Sequence, residues 1–194
     1  MLRGMSGDLL LEAERLRLRR FTPDDVDNLV ELDGDPEVMR FLTGGEPTPR
    51  ETVRDEHLPR ILARYDHAPD LGRWAAEEWA TGEFLGWFAL DPSDDGTEAE
   101  LGYRLRRAAW GRGLATEGSR ALLRHAFETV GVGRVWAETM AVNVRSRAVM
   151  ERVGLRYVRT FHLHFDDPIP GTEHGEVEYE LLRSEWRPFA PGTR

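Results

Sequence analysis

The chain has 194 residues and no cysteine, which excludes disulfides, thiolate metal sites and covalent catalysis through a thiol. No apolar run approaches the length that spans a bilayer, and residues 1–7 lack the apolar core of a signal peptide. A cytoplasmic protein without membrane attachment is therefore expected. Neither a Pro/Ser/Gly-rich linker nor an internal repeat divides the sequence. Residues 1–194 are accordingly expected to form one domain, with its core between about residues 9 and 186. Positive charge is also in short supply: the formal net charge of −9 disfavours nucleic acid and favours cationic partners such as amines. His162 and His164 alternate near Asp166 without further correctly spaced ligands, so no metal is expected.

What is present reads as a globular protein, 40% hydrophobic with six Trp. Leu16 to Phe21 alternates as a strand. Thr22-Pro23-Asp24-Asp25 opens a helix with a cap, a first-turn proline and two acids. Asp35-Pro36 begins a short helical piece. Thr48-Pro49 begins a longer helix through Tyr65, which Pro59 should kink or split. Trp74–Glu78 and Phe84–Leu90 form a hairpin, and Ala99–Leu105 reads as the next strand. Val135–Thr139, Leu155–Phe165 and Val177–Leu182 read as later strands, with helices following Gly113 and Asn143. This order predicts an α+β (mixed α/β) domain on a largely antiparallel sheet flanked by helices.

The densest signal is Trp110-Gly111-Arg112-Gly113-Leu114-Ala115-Thr116-Glu117-Gly118. A strand, a glycine turn and a helix N-terminus gather free backbone N–H groups around one point, where the helix dipole adds to their field and phosphate oxygens bind. The stretch lacks the Lys-Ser/Thr of a P-loop, and Thr116 stands where the dinucleotide fingerprint needs glycine. It resembles motif A of the GNAT N-acetyltransferases, Gln/Arg-x-x-Gly-x-Gly/Ala: Gly113 and Ala115 match, while Trp110 replaces the Gln or Arg. The longer string resembles the Rim-type branch, the ribosomal-protein N-terminal acetyltransferases and their relatives. Asn143 to Leu155, with Ser146, Met150 and Gly154, resembles a second segment of the same family. Arg104, Arg106, Arg107 and Arg112 cluster beside the turn, and Arg145 and Arg147 flank Ser146. Such cations suit a coenzyme's phosphates.

The resemblance implies a sheet whose two neighbouring central parallel strands splay apart to admit acetyl-CoA, the co-substrate. The turn (Trp110, Gly111, Arg112, Gly113, Leu114, Ala115 and Thr116) would hold the pyrophosphate. Backbone at Tyr103, Arg104 and Leu105 would pair with the pantetheine arm, which Asn143 would also contact. The implied reaction is direct attack of a primary amine, from a protein N-terminus or a small molecule, on the thioester, and a homodimer is the expected assembly. A carboxylate is needed to take the amine's proton. Alternation places Glu98, Glu100 and Gly102 on one strand face with Ala99, Leu101 and Tyr103 opposite, and Glu100 matches a Glu of Rim-type enzymes. The proton-donating Tyr of many relatives falls at Met150, which has no proton to give; the resemblance to the Rim branch offers Ser146, one turn earlier, as its replacement, and direct protonation by solvent stays open. A succinyl or other acyl donor, or a non-catalytic acyl-CoA sensor, remains open at this point, and the acceptor is not readable.

Overall fold

The computed structural model describes residues 9–189. Strands β1 (Leu9–Glu12) and β2 (Leu16–Arg20) lead into a 3-10 turn at Pro23–Asp25 and helix α1 (Val26–Asp33). The Asp25 carboxylate fixes this corner. It accepts from the Thr22 backbone N–H at 2.8 Å and forms a buried two-point pair with Arg19, both bonds at 2.8 Å. Helix α2 (Pro36–Met39) starts on Asp35, which accepts from the Glu37 N–H. Next come α3 (Arg50–Thr52), a π-helical segment over Val53–His57 and α4 (Leu58–Arg64). Pro59 does not split this rod. It lacks an N–H and crowds the carbonyl four residues back, and the widened π turn just ahead of it accommodates both effects.

Strands β3 (Gly72–Glu78), β4 (Phe84–Pro92) and β5 (Glu98–Leu105) form a meander. Helix α5 (Leu114–Arg124), β6 (Arg134–Met140), α6 (Val144–Arg152), β7 (Arg156–Phe161) and β8 (Glu176–Leu182) follow. The sheet order is β1-β2-β3-β4-β5-β6-β8-β7. Every pairing is antiparallel except β5 with β6, as the mixed, largely antiparallel pattern predicts.

Helix α5 lies close on the sheet because residue 118 has no side chain: a Cβ on Gly118 would fall 2.3 Å from the Phe88 ring. Leu114, Leu122 and Leu123 of α5 and Phe127 beyond it are buried in the same apolar core as Phe88, Val135 and Tyr179. Two strand expectations differ. β1 precedes the first strand read from the pattern. The strand expected over Leu155–Phe165 ends at Phe161, because its partner β8 begins at Glu176, opposite Phe161. With no neighbour across from them, residues 162–165 leave the sheet and stay exposed.

Candidate active site

The parallel seam is short. β5 and β6 are in register at only three pairs, Glu98 with Arg134, Ala99 with Val135 and Glu100 with Trp136. β5 continues to Leu105 and β6 to Met140 without pairing again. The strands therefore splay from Glu100 onward, leaving alternate backbone groups of β5 free on that side while its other side stays bonded to β4. A gap with free strand N–H and C=O groups suits an extended amide-bearing chain.

The glycine turn stands at the end of this gap. Gly111 and Gly113 hold φ of 71° and 78°, the left-handed region that side chains disfavour. A Cβ on Gly111 would meet nothing within 4 Å, so the turn faces open space. Gly113 is the N-cap of α5 and provides no side-chain cap. The N–H groups of Leu114, Ala115 and Thr116 have no acceptor within the helix and point with its dipole at that space. These residues fit an anionic pyrophosphate.

The side chains around the turn are arranged differently from the sequence expectation. Arg104 pairs with Asp33 at 2.5 Å and stacks on Trp87, on the opposite face of the sheet. Arg106 is held by Glu31 at 2.7 Å, Arg107 lies 3.9 Å from Asp35, and Arg112 pairs with Glu78. The cluster's cations are thus mostly matched to acids of α1 and its flanks, which the chain order cannot show. Arg147 donates to the Ala141 carbonyl and the Tyr179 hydroxyl. Arg145 instead lies over the Trp110 ring at 5.4 Å, beside the turn, with no carboxylate partner among the described residues. Trp110 donates its indole N–H to the Leu105 carbonyl at 2.8 Å, so that carbonyl, expected to face pantetheine, is already engaged.

Arg15, outside every sequence motif, also reaches the turn. Its backbone N–H and guanidinium bind Glu117 at 2.6 and 2.7 Å, and it also donates to the Arg112 carbonyl at 2.8 Å. The side chain braces the turn from the bend just ahead of β2, about a hundred residues away in sequence. No local signal marks it.

On the α1-side face, Glu98 is bound by Arg134 at 2.7 Å. Glu100, one step further into the splay, has no cation within ion-pair distance among the described residues. Burial pushes its carboxyl up from the usual range, the Asp91 and Glu138 carboxylates push it further, and Arg73 opposes them. Glu138 is raised by burial and by Glu178, and Glu176 by burial and by Glu138. A carboxylate with a raised pKa is a better proton acceptor near neutral pH.

Asn143 caps α6. Its carbonyl oxygen accepts from the Ser146 N–H at 3.3 Å, and its amide donates to the Thr139 hydroxyl at 3.0 Å. One amide hydrogen remains for a ligand. The Ser146 hydroxyl faces the Tyr103 hydroxyl across the splay at 3.4 Å, and Met150 is buried. Thus Tyr103 and Ser146 come together on one side of the gap and Glu100 lies on the other face.

The acetyltransferase (GNAT) domain family matches residues 15–156. An FsC-acetyl coenzyme A-N(2)-transacetylase of Aspergillus fumigatus is 37% identical over 184 residues, covering 91% of this chain and 77% of that protein. YdaF of Bacillus subtilis, provisionally named a ribosomal N-acetyltransferase, is 29% identical across 89% of this chain and 94% of its own. The solved structure of RimL, a ribosomal L7/L12 alpha-N-protein acetyltransferase in complex with coenzyme A, is alike in fold. Its TM-score is 0.77 at 17% identity, over 90% of this chain and 98% of its own. No helix among the described residues is long and apolar enough to cross a membrane. With most of its length matched, and with a parallel seam that opens beside a glycine turn at a helix N-terminus, the chain belongs to the GNAT acetyltransferase family, whose members move an acetyl group from acetyl-CoA to an amine nitrogen.

Proposed function

We propose that this N-acetyltransferase binds acetyl-CoA through the 110–116 turn and Arg145, uses Glu100 as the base, and acts on a primary amine of a small molecule or a protein N-terminus. The carrying observation is the splay that begins at Glu100 and ends at the free N–H groups of α5. Acetyl-CoA supplies the acetyl group as a reactive thioester. The acceptor arrives largely as an ammonium, and the unpaired Glu100 and Glu138 attract it. Glu100 then takes a proton, directly or through water, so that the nitrogen lone pair is free to attack. A free β5 N–H in the gap polarises the acyl oxygen. The Ser146 hydroxyl, on the opposite wall, donates to the departing sulfur. We further propose a cytoplasmic homodimer; the exposed edge strand β7, with Tyr157 and Val158 exposed, supports the assembly. Light scattering tests it.

Release of free thiol from acetyl-CoA, measured over a panel of amines, tests the reaction. The background is low, since the chain has no cysteine to react with the reagent and no lysine to accept acetyl itself. Gly111→Glu would place a carboxylate in the open space before the turn. It should abolish coenzyme binding in calorimetry while the fold persists. Unchanged affinity in the folded variant would remove the turn from the site.

A further inference from the structure

Tyr103 lies on the opposite face of β5 from Glu100, its ring 5.9 Å from that of Phe88. Its hydroxyl reaches the Ser146 hydroxyl of α6, 43 residues away in sequence, at 3.4 Å. Burial raises the phenol's pKa, with the Ser146 bond opposing, so it remains a protonated donor throughout the neutral range. The separation is long for O–H···O, a common state for hydroxyls that line a cleft before substrate closes it. One turn beyond Ser146, the buried Met150 carries no polar hydrogen. Two hydroxyls, one from the strand and one from the helix, therefore meet beside the gap.

We propose that Tyr103 is a positioning residue for the leaving thiol: its O–H donates to Ser146 Oγ and turns the Ser146 hydrogen toward the coenzyme's sulfur. This rests on the acyl-transfer reading above. A serine hydroxyl has one hydrogen and two lone pairs. A fixed donor on its oxygen leaves that hydrogen to point away; without the donor it rotates among other acceptors at the helix start. During transfer the C–N bond forms and the C–S bond breaks, its electron pair leaving on sulfur. The ammonium loses one proton to Glu100 before attack and the adduct's nitrogen loses a second as the C–S bond breaks; Glu100 passes both to solvent. The thiolate, held by the Ser146 O–H, takes its proton from solvent, and Tyr103 keeps its own throughout.

The chain's lack of cysteine means that every thiol in the sample is the coenzyme's, and excess protein keeps the coenzyme bound. The pH dependence of its alkylation by iodoacetamide in the complex therefore reports its pKa without any acceptor. The thiol should titrate below free coenzyme A in the unaltered protein. Tyr103→Phe and Ser146→Ala should each raise it, and the double variant should match Ser146→Ala alone. In turnover, Tyr103→Phe should lower kcat about tenfold at unchanged KM for acetyl-CoA, and the loss should vanish in the Ser146→Ala background. Phe keeps the ring against Phe88. An unchanged thiol titration in Tyr103→Phe, losses that multiply in the double variant, or a loss in thermal stability alone would overturn the proposal. Failure of coenzyme A to bind in calorimetry would instead bring down the acyl-transfer reading beneath it.

Discussion

The two ends of the β5–β6 seam share a sheet face but treat their acids in opposite ways. At the paired end, Arg134 binds Glu98 at 2.7 Å and Glu180 at 2.6 Å, and also binds Glu178, which Arg159 holds from its other side at 2.6 Å. Although burial pushes the Glu178 carboxyl up, the bonds from Arg159 and Arg134 hold it below the usual range. At the splayed end, a single alternation further on, neither Glu100 nor Glu138 has a cation within ion-pair distance among the described residues. Arg73 opposes the shift of Glu100, and Arg159 and Arg134 that of Glu138, only from further off, and both carboxyls are raised. The difference separates two uses of one residue type. A carboxylate saturated with cations is a poor base and a good clasp. A buried carboxylate left beside its own kind is costly to ionise and is suited to accepting a proton.

The sharpest way to break this contrast is at Glu100. Glu100→Gln should lower kcat by about a hundredfold or more, near 2.7 kcal/mol in barrier height, with thermal stability kept or improved. The sign for stability follows from the raised pKa. The folded state disfavours the ionised carboxyl, so its contribution declines as pH rises through the folded value, and the neutral amide avoids that cost. Full activity with a good acceptor would reassign Glu100 to structure and leave Glu138 or water as the base.

Arg134→Met should show the converse. It leaves Glu98, Glu178 and Glu180 without their shared cation, and should cost about 2 kcal/mol of stability, between the ranges for exposed and buried pairs. Turnover per folded molecule should change little. Glu178, held below the usual range by its two arginines, contributes stability above the unfolded carboxylate pKa of about 4.3 and loses it as pH falls through its depressed folded value. The variant's melting temperature should therefore fall less on acidification. A variant that melts normally but turns over slowly would place Arg134 in the active site.

These contrasts mark the limit of what the sequence carries. The glycine turn, the helix behind it and the α+β order are legible because each depends on residues adjacent in the chain: Gly111 and Gly113 need positive φ, and α5 shows its apolar spacing locally. The splay was legible only through family resemblance, since nothing in Ala99–Leu105 says where pairing with β6 stops. The arginines misled for the same reason. Arg104, Arg106 and Arg107 look like a phosphate cluster in sequence, yet their acids, Asp33, Glu31 and Asp35, lie some seventy residues earlier. Arg15 and the Tyr103 hydroxyl were invisible because their contacts are long-range.

Asn143 tests that lesson on a smaller scale, because the structure gives it the local role. Asn143→Ala removes the cap on α6 and should cost about 1 kcal/mol of stability. If its remaining amide hydrogen also reaches the pantetheine, the KM for acetyl-CoA rises as well, by an amount corresponding to about 0.5–1.5 kcal/mol. A melting-temperature loss with unchanged KM assigns it to capping alone. Asn143→Asp separates the two, since it keeps the acceptor for the Ser146 N–H and loses the donor.

The smallest effect should be the most specific. Glu138→Gln removes one negative charge facing Glu100 but leaves its burial intact. The Glu100 carboxyl, raised partly by that charge, should then ionise at lower pH, and the acidic limb of kcat/KM should move down. It should remain above the range of an ordinary Glu, about 4.3, because burial is the larger cause. The acceptor's own titration is common to both proteins and cancels in the ratio of their profiles. Salt should shrink the difference, since the repulsion crosses a gap open to solvent. A limb that does not move would mean that Glu138 exerts no field on the base, or that the base is not Glu100. Loss of turnover at every pH would identify Glu138 itself as the proton acceptor, and the boundary between clasp and base would then lie on β6 rather than β5.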